Sequence, residues 1–90
     1  MDTHLAAEHV RAVLRGAGFR EWAQGRRGWL VEADPQGGWV AVADTVHGVK
    51  GSLHLQKYRE VLLAAGFTVT EDPLVTGVLR VKPPADAMDL

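Results

Sequence analysis

A short phrase occurs twice in this chain, and it constrains the fold more than any other feature. The first copy is Arg11-Ala12-Val13-Leu14-Arg15-Gly16-Ala17-Gly18-Phe19, the second Arg59-Glu60-Val61-Leu62-Leu63-Ala64-Ala65-Gly66-Phe67. Arg, Val, Leu, Ala, Gly and Phe recur at a constant offset. Each copy reads as the last turns of a helix, a glycine stop and the first residue of a strand. Glycine takes up the left-handed conformation that ends many helices, because it has no Cβ to clash. With Gly18 in that role, Leu14 lies in the last turn and meets Phe19 beyond the stop. Leu62, Gly66 and Phe67 repeat the arrangement.

The rest of the chain is read outward from these stops. Residues 3–17 form a helix with Leu5, Ala6, His9, Val10, Val13, Leu14 and Ala17 on one side and Glu8, Arg11 and Arg15 on the other. Asp2 or Thr3 caps its start, and Glu8 pairs with Arg11 one turn on. Strands are expected at 19–23, 29–34 and 39–45, with Arg26 and Arg27 at the tip of the first turn. Asp34-Pro35-Gln36-Gly37-Gly38 is a strong turn signal. Placing Asp34 opposite Gly38 gathers Trp29, Val31, Ala33, Trp39, Ala41 and Ala43 on one face. Leu30, Glu32, Val40, Val42 and Asp44 then share the other face. Ser52 is the expected N-cap of a second helix over 53–65, striped by Leu55, Tyr58, Val61, Leu62 and Ala65. Strands at 67–71 and 76–82 follow, with Asp72-Pro73 starting their turn.

The expected order is therefore αβββαββ, an α+β two-layer sandwich with two helices on one face of an antiparallel sheet. Pro83 repeats Pro35 at the same offset as the helix stops, so the duplicated unit is read as helix, strand, strand. Residues 36–50 are then an insertion in the first unit. Residues 1–84 make one domain and 85–90 a flexible tail.

Composition excludes several function classes. There is no cysteine, hence no disulfide and no thiolate metal site or nucleophile. No apolar run approaches the roughly 20 residues that span a bilayer, and the N-terminus lacks a basic-then-apolar leader. The protein is expected in the cytoplasm and away from membranes. A net charge of -1 argues against broad electrostatic binding of nucleic acid, though not against a local patch.

Few constellations carry chemistry. His4 and His9 point to different sides of a helix, and His47 and His54 have no third ligand. No metal and no cofactor is expected. Glu32, Asp34 and Asp44 could pair as acid and base, but a solvated strand face is the favoured explanation. Glu71-Asp72 belongs to a turn. The stretch His47, Lys50, Gly51 and Ser52 at a helix start is the candidate anion site, since helix N-termini present free N–H groups. Arg20, Trp22, Arg26, Arg27 and Lys57 are candidate contacts to a protein partner or a nucleic acid.

The run from Val10 to Phe67 resembles the HicA family of toxin ribonucleases. The Leu14-to-Phe19 stop carries the resemblance, with His47-Gly48-Val49-Lys50-Gly51-Ser52-Leu53 leading into the second helix. It implies an αβββα fold like that of double-stranded-RNA-binding domains. That family carries its catalytic histidine after a glycine on the second strand. The matching stretch here is Gly28-Trp29-Leu30, so the resemblance implies the fold and not the ribonuclease activity. The chain also looks like small accessory proteins of phages and plasmids, a likeness that implies no activity.

The leading expectation is a non-enzymatic interaction module that presents a sheet face or edge to a protein partner, a homodimer included. Leu30, Val40 and Val42 on the second face motivate it. The alternative is a nucleic-acid binder with a HicA-like fold, using Arg20, Arg26, Arg27, Lys50 and Lys57. An enzyme using Glu32, Asp34 or His47 ranks third.

Overall fold

The computed structural model describes residues 3–23, 27–34, 38–46 and 48–83. Its elements are α1 (Thr3–Gly16), β1 (Trp29–Asp34), β2 (Trp39–Asp44), α2 (Gly48–Ala64), β3 (Thr68–Glu71) and β4 (Val78–Lys82). The fold is α+β, with an open, four-stranded antiparallel sheet in the order β1-β2-β4-β3.

Both helices end as the repeated phrase predicts. Gly18 and Gly66 have φ of 85° and 94°, in the left-handed region. The N–H of Phe19 bonds the Leu14 carbonyl at 3.3 Å, and that of Phe67 bonds Leu62 at 3.0 Å. Gly18 bonds Arg15 and Gly66 bonds Leu63, both at 3.0 Å. These bonds satisfy carbonyls that the helix itself leaves open.

The segments that follow the two stops differ. Residues 68–71 form β3, but residues 19–23 do not form the expected strand, and the order is αββαββ. Glu21 instead makes an isolated parallel bridge to Trp29. The reason is Trp29, which draws the segment in by three bonds. Its N–H reaches the Arg20 carbonyl at 3.0 Å, its carbonyl accepts from Trp22 at 2.9 Å, and its indole N–H reaches the Phe19 carbonyl at 3.2 Å. A parallel ladder needs a long crossover, and the short link from this segment to β1 does not provide one.

The register of the β1–β2 hairpin differs from the expected one by a single residue. Asp34 lies opposite Trp39, and Val31 opposite Val42. The inner face therefore carries Trp29, Val31, Ala33, Val40, Val42 and Asp44, and the outer face Leu30, Glu32, Asp34, Trp39, Ala41 and Ala43. The expectation grouped tryptophans with alanines. The core groups β-branched side chains instead, and Val40 and Val42 are completely buried. Asp44 is tolerated inside because it lies at the sheet's end with partners of its own.

The inner face is filled from both helices. Ala6, Ala7, Val10 and Leu14 of α1 and Tyr58 and Leu62 of α2 join Trp29, Val31, Val69, Leu79 and Val81 in one cluster. Removing such side chains from water contributes about 2 kcal/mol each before chain entropy is counted. α1 packs on β1 and β2, α2 on β2, β3 and β4, and the helices touch each other.

The second helix starts at Gly48 and not after Ser52. Ser52 is therefore an exposed residue within α2 and not its N-cap. A Cβ at Gly51 would lie 1.9 Å from the Val46 carbonyl oxygen, so only glycine lets the helix begin against that loop. The last strand starts at Val78, because Thr76 and Gly77 belong to the turn before it. The expected caps at Asp2 or Thr3, the Pro35-Gln36-Gly37 turn and the tail over residues 85–90 lie outside the described residues or side chains.

Candidate functional site

Two places in the fold combine chemistry with exposure. The first surrounds Asp44, the last residue of β2. Its side chain is only 1% exposed. The Tyr58 hydroxyl donates to Oδ2, His54 Nδ1 lies 3.3 Å from the same oxygen, and the Val46 N–H donates to Oδ1 at 2.7 Å. Burial, and then the bond to Asp44, raise the Tyr58 phenol well above its ordinary pKa of 10.0. Asp44 also borders an open groove lined by Val46, Gly51, Ser52, Leu53 and Val78.

This carboxylate bears on the anion candidate. Lys50 and Ser52 are exposed and Gly51 is buried, while His47 lies outside the described residues. With the helix beginning at Gly48, the Gly51 N–H belongs to the unsatisfied first turn and the Ser52 N–H does not. Asp44 already places a negative group beside that turn, where it favours the helix dipole and opposes a second anion.

The second place is the outer face of the sheet. Register aligns its side chains in rows across the strands. Leu30, Ala43 and Val78 form one row, and Glu32, Ala41, Arg80 and Thr70 the next. Asp34 stands beside Trp39, and Lys82 beside Thr68. Both helices put their apolar sides into the opposite face, and no described helix or strand is stacked on this one. The acids all lie on β1 and the bases all on β4, with alanines between them.

Arg80 is held in place on this face. Its guanidinium lies 4.5 Å from the centre of the Trp39 ring, and its Nε bonds Asp72 Oδ2 at 3.2 Å. Asp72 also accepts the N–H groups of Leu74 and Val75 at 2.8 and 2.9 Å. These two bonds, Leu74's the larger in effect, and then Arg80 hold the Asp72 carboxyl below its ordinary pKa.

The edges of the sheet differ. On β1, the bonds from residues 20 and 22 to Trp29 are joined by Arg11, whose Nη2 donates to the Val31 carbonyl at 3.0 Å. Arg11 also pairs with Glu8, as expected. Arg15 forks onto Glu21 at 3.0 and 3.1 Å, which secures the same connection. On the far side, β3 pairs with β4 alone.

The remaining candidates scatter. Arg20, Trp22 and Arg27 are exposed on the connection between α1 and β1, Lys57 is exposed on α2, and Arg26 lies outside the described residues. The three tryptophans separate by role. Trp29 is buried, Trp39 is half-buried under Arg80, and Trp22 is 50% exposed. Glu32 and Asp34 share the outer face, whereas Asp44 is on the inner one, so the three acids do not converge. Among the described residues no three His, Asp or Glu side chains gather to hold a metal, and no helix is long and apolar enough to cross a membrane.

Sequence reasoning missed Trp39, Ala41, Ala43, Val78 and Arg80 as a surface, because the wrong register hid them. Comparison with protein-family models, curated proteins and solved structures returns no match.

Proposed function

We propose that this chain is a small non-enzymatic interaction module whose working surface is the outer face of the sheet. The observation that carries the reading is the row of exposed Leu30 and half-buried Ala43 and Val78 beside Ala41 and Trp39, on a face with no described helix over it. A flat sheet face with small residues at its centre suits another apolar surface, and the charged rim fixes orientation. Val40 and Val42 have no part in it, since they are buried on the other face. The reading includes a two-layer sandwich built from two helix-led units, supported by the matched glycine stops.

A photo-crosslinking side chain at position 41 tests this in cells, with one at position 57 on α2 as control. The expected result is a discrete crosslinked species from position 41 alone, lost when Ala43→Glu is added. Equal yields from the two positions, or a species indifferent to Ala43→Glu, would end the reading.

A HicA-like nucleic-acid binder is the second reading. The exposure of Arg20, Arg27, Lys50 and Lys57 supports it. The acids of β1 weigh against use of the sheet face, since phosphates avoid carboxylates. A low-salt RNA titration tests it, and absence of salt-sensitive binding counts against it.

A further inference from the structure

Resting on the sheet-face reading, we infer that the partner of this face is a second copy of the same chain, related by a two-fold axis that runs along β2.

The argument comes from the rows. A rotation about an axis parallel to the strands keeps every residue at its own level and exchanges strands across the axis. With the axis along β2, β1 of one copy faces β4 of the other. Glu32 then lies over Arg80 of the second copy, and Leu30 over Val78, because these pairs share rows. Ala41 and Ala43 meet their own counterparts on the axis. Acid meets base at both symmetry-related sites.

Other strand-parallel axes fail. An axis along β4 stacks Arg80 upon itself, and an axis between β2 and β4 sets Arg80 over Ala41. Like charges in apposition select against the first, and the second leaves Arg80 and Glu32 without an opposite charge. Only the β2 axis makes the charge pattern complementary to itself.

Side-chain size agrees with this placement. Stacked sheets lie about 10 Å apart, and small residues at the centre let them approach. The long Glu32 and Arg80 side chains flank the alanines and can bridge the gap. Arg80 gives Nε to Asp72, and its terminal nitrogens are the donors that would meet a second carboxylate. Strands of about six residues and the three strands that overlap, β1, β2 and β4, spaced about 4.8 Å apart, give a face of roughly 20 by 14 Å. That is small for a dimer interface, so the association is reversible and weak.

The test is a charge swap read by sedimentation equilibrium. Glu32→Lys and Arg80→Glu, each alone, should weaken self-association by at least about tenfold. An equimolar mixture of the two variants should restore it to within about threefold of the native chain, because in the mixed dimer one Glu32–Arg80 contact keeps its native signs and the other re-forms with the signs reversed. Should Arg80→Glu disturb the fold through Asp72, Ala41→Arg provides the independent variant, since it sets two like charges on the axis. A native chain that stays monomeric into the millimolar range overturns the inference. So does a dimer that ignores every swap. The position-41 crosslink separates the two readings: a species of twice the chain mass supports the second copy, another mass leaves the sheet-face reading without it, and no species removes both.

Discussion

Phe19, which follows the stop of α1, sets its ring edge-on against Tyr58 of α2 with 5.0 Å between centroids. Phe67, which follows the stop of α2, makes the reciprocal contact with His9 of α1, also at 5.0 Å. Each helix stop thus delivers an aromatic side chain to the other helix, and the repeated phrase ties the two helices together. Phe67 is 3% exposed and Phe19 is half-buried. Phe67→Ala should therefore cost about 3–4 kcal/mol and Phe19→Ala less. Urea unfolding of both variants checks the order, and equal losses would contradict the burial difference.

Gly18→Ala isolates the backbone term of the stop. Nothing lies within 4 Å of the Cβ it would introduce, so no steric clash adds to the strain of φ at 85°. The expected loss is about 1 kcal/mol, read as a lower midpoint of thermal unfolding. An unchanged midpoint would mean that the helix ends without the left-handed residue.

Burial of Tyr58, together with its bond to Asp44, makes stability fall at high pH. The folded phenol titrates above its ordinary value of 10.0, so from about that pH upward the unfolded chain loses a proton that the folded chain keeps. The folded chain then holds more protons, and stability declines as pH rises from there. Tyr58→Phe should remove this decline and cost about 1–2 kcal/mol at neutral pH, because Asp44 loses a donor. Denaturant titrations at pH 7 and above pH 10 compare the two chains, and parallel declines would refute the assignment.

The register makes a sharp prediction about neighbouring residues. Val40→Glu places a charge in the sealed core and should abolish cooperative unfolding. Ala41→Glu, one residue on, faces outward and should change stability by no more than about 1 kcal/mol. Circular dichroism melts decide between them, and the opposite pattern would restore the register expected from sequence.

The parts of the fold legible in the sequence are those governed by local chemistry. Gly18 and Gly66 announce their torsions, since no other residue takes them so readily. Glu8 and Arg11 are paired by helical spacing alone. The hairpin register was not legible, because Val31, Val40 and Val42 alternate with Trp39, Ala41 and Ala43, and either set can serve as a core. Arg80 decides in favour of the first by covering Trp39 outside, and Tyr58 by receiving Asp44 inside. Both are distant in sequence. The start of α2 was hidden for a similar reason: Gly48 and Gly51 look like a loop until the Val46 carbonyl is seen against Gly51. The candidate surface depends on the register, so it became visible only with the paired strands.

Sedimentation velocity over a concentration series, run on the native chain beside Ala41→Glu, reaches the central claim most directly. The account predicts a reversible monomer–dimer equilibrium for the native chain and a folded monomer at every concentration for the variant. A native chain that never associates, or a dimer that persists unchanged in Ala41→Glu, would contradict it.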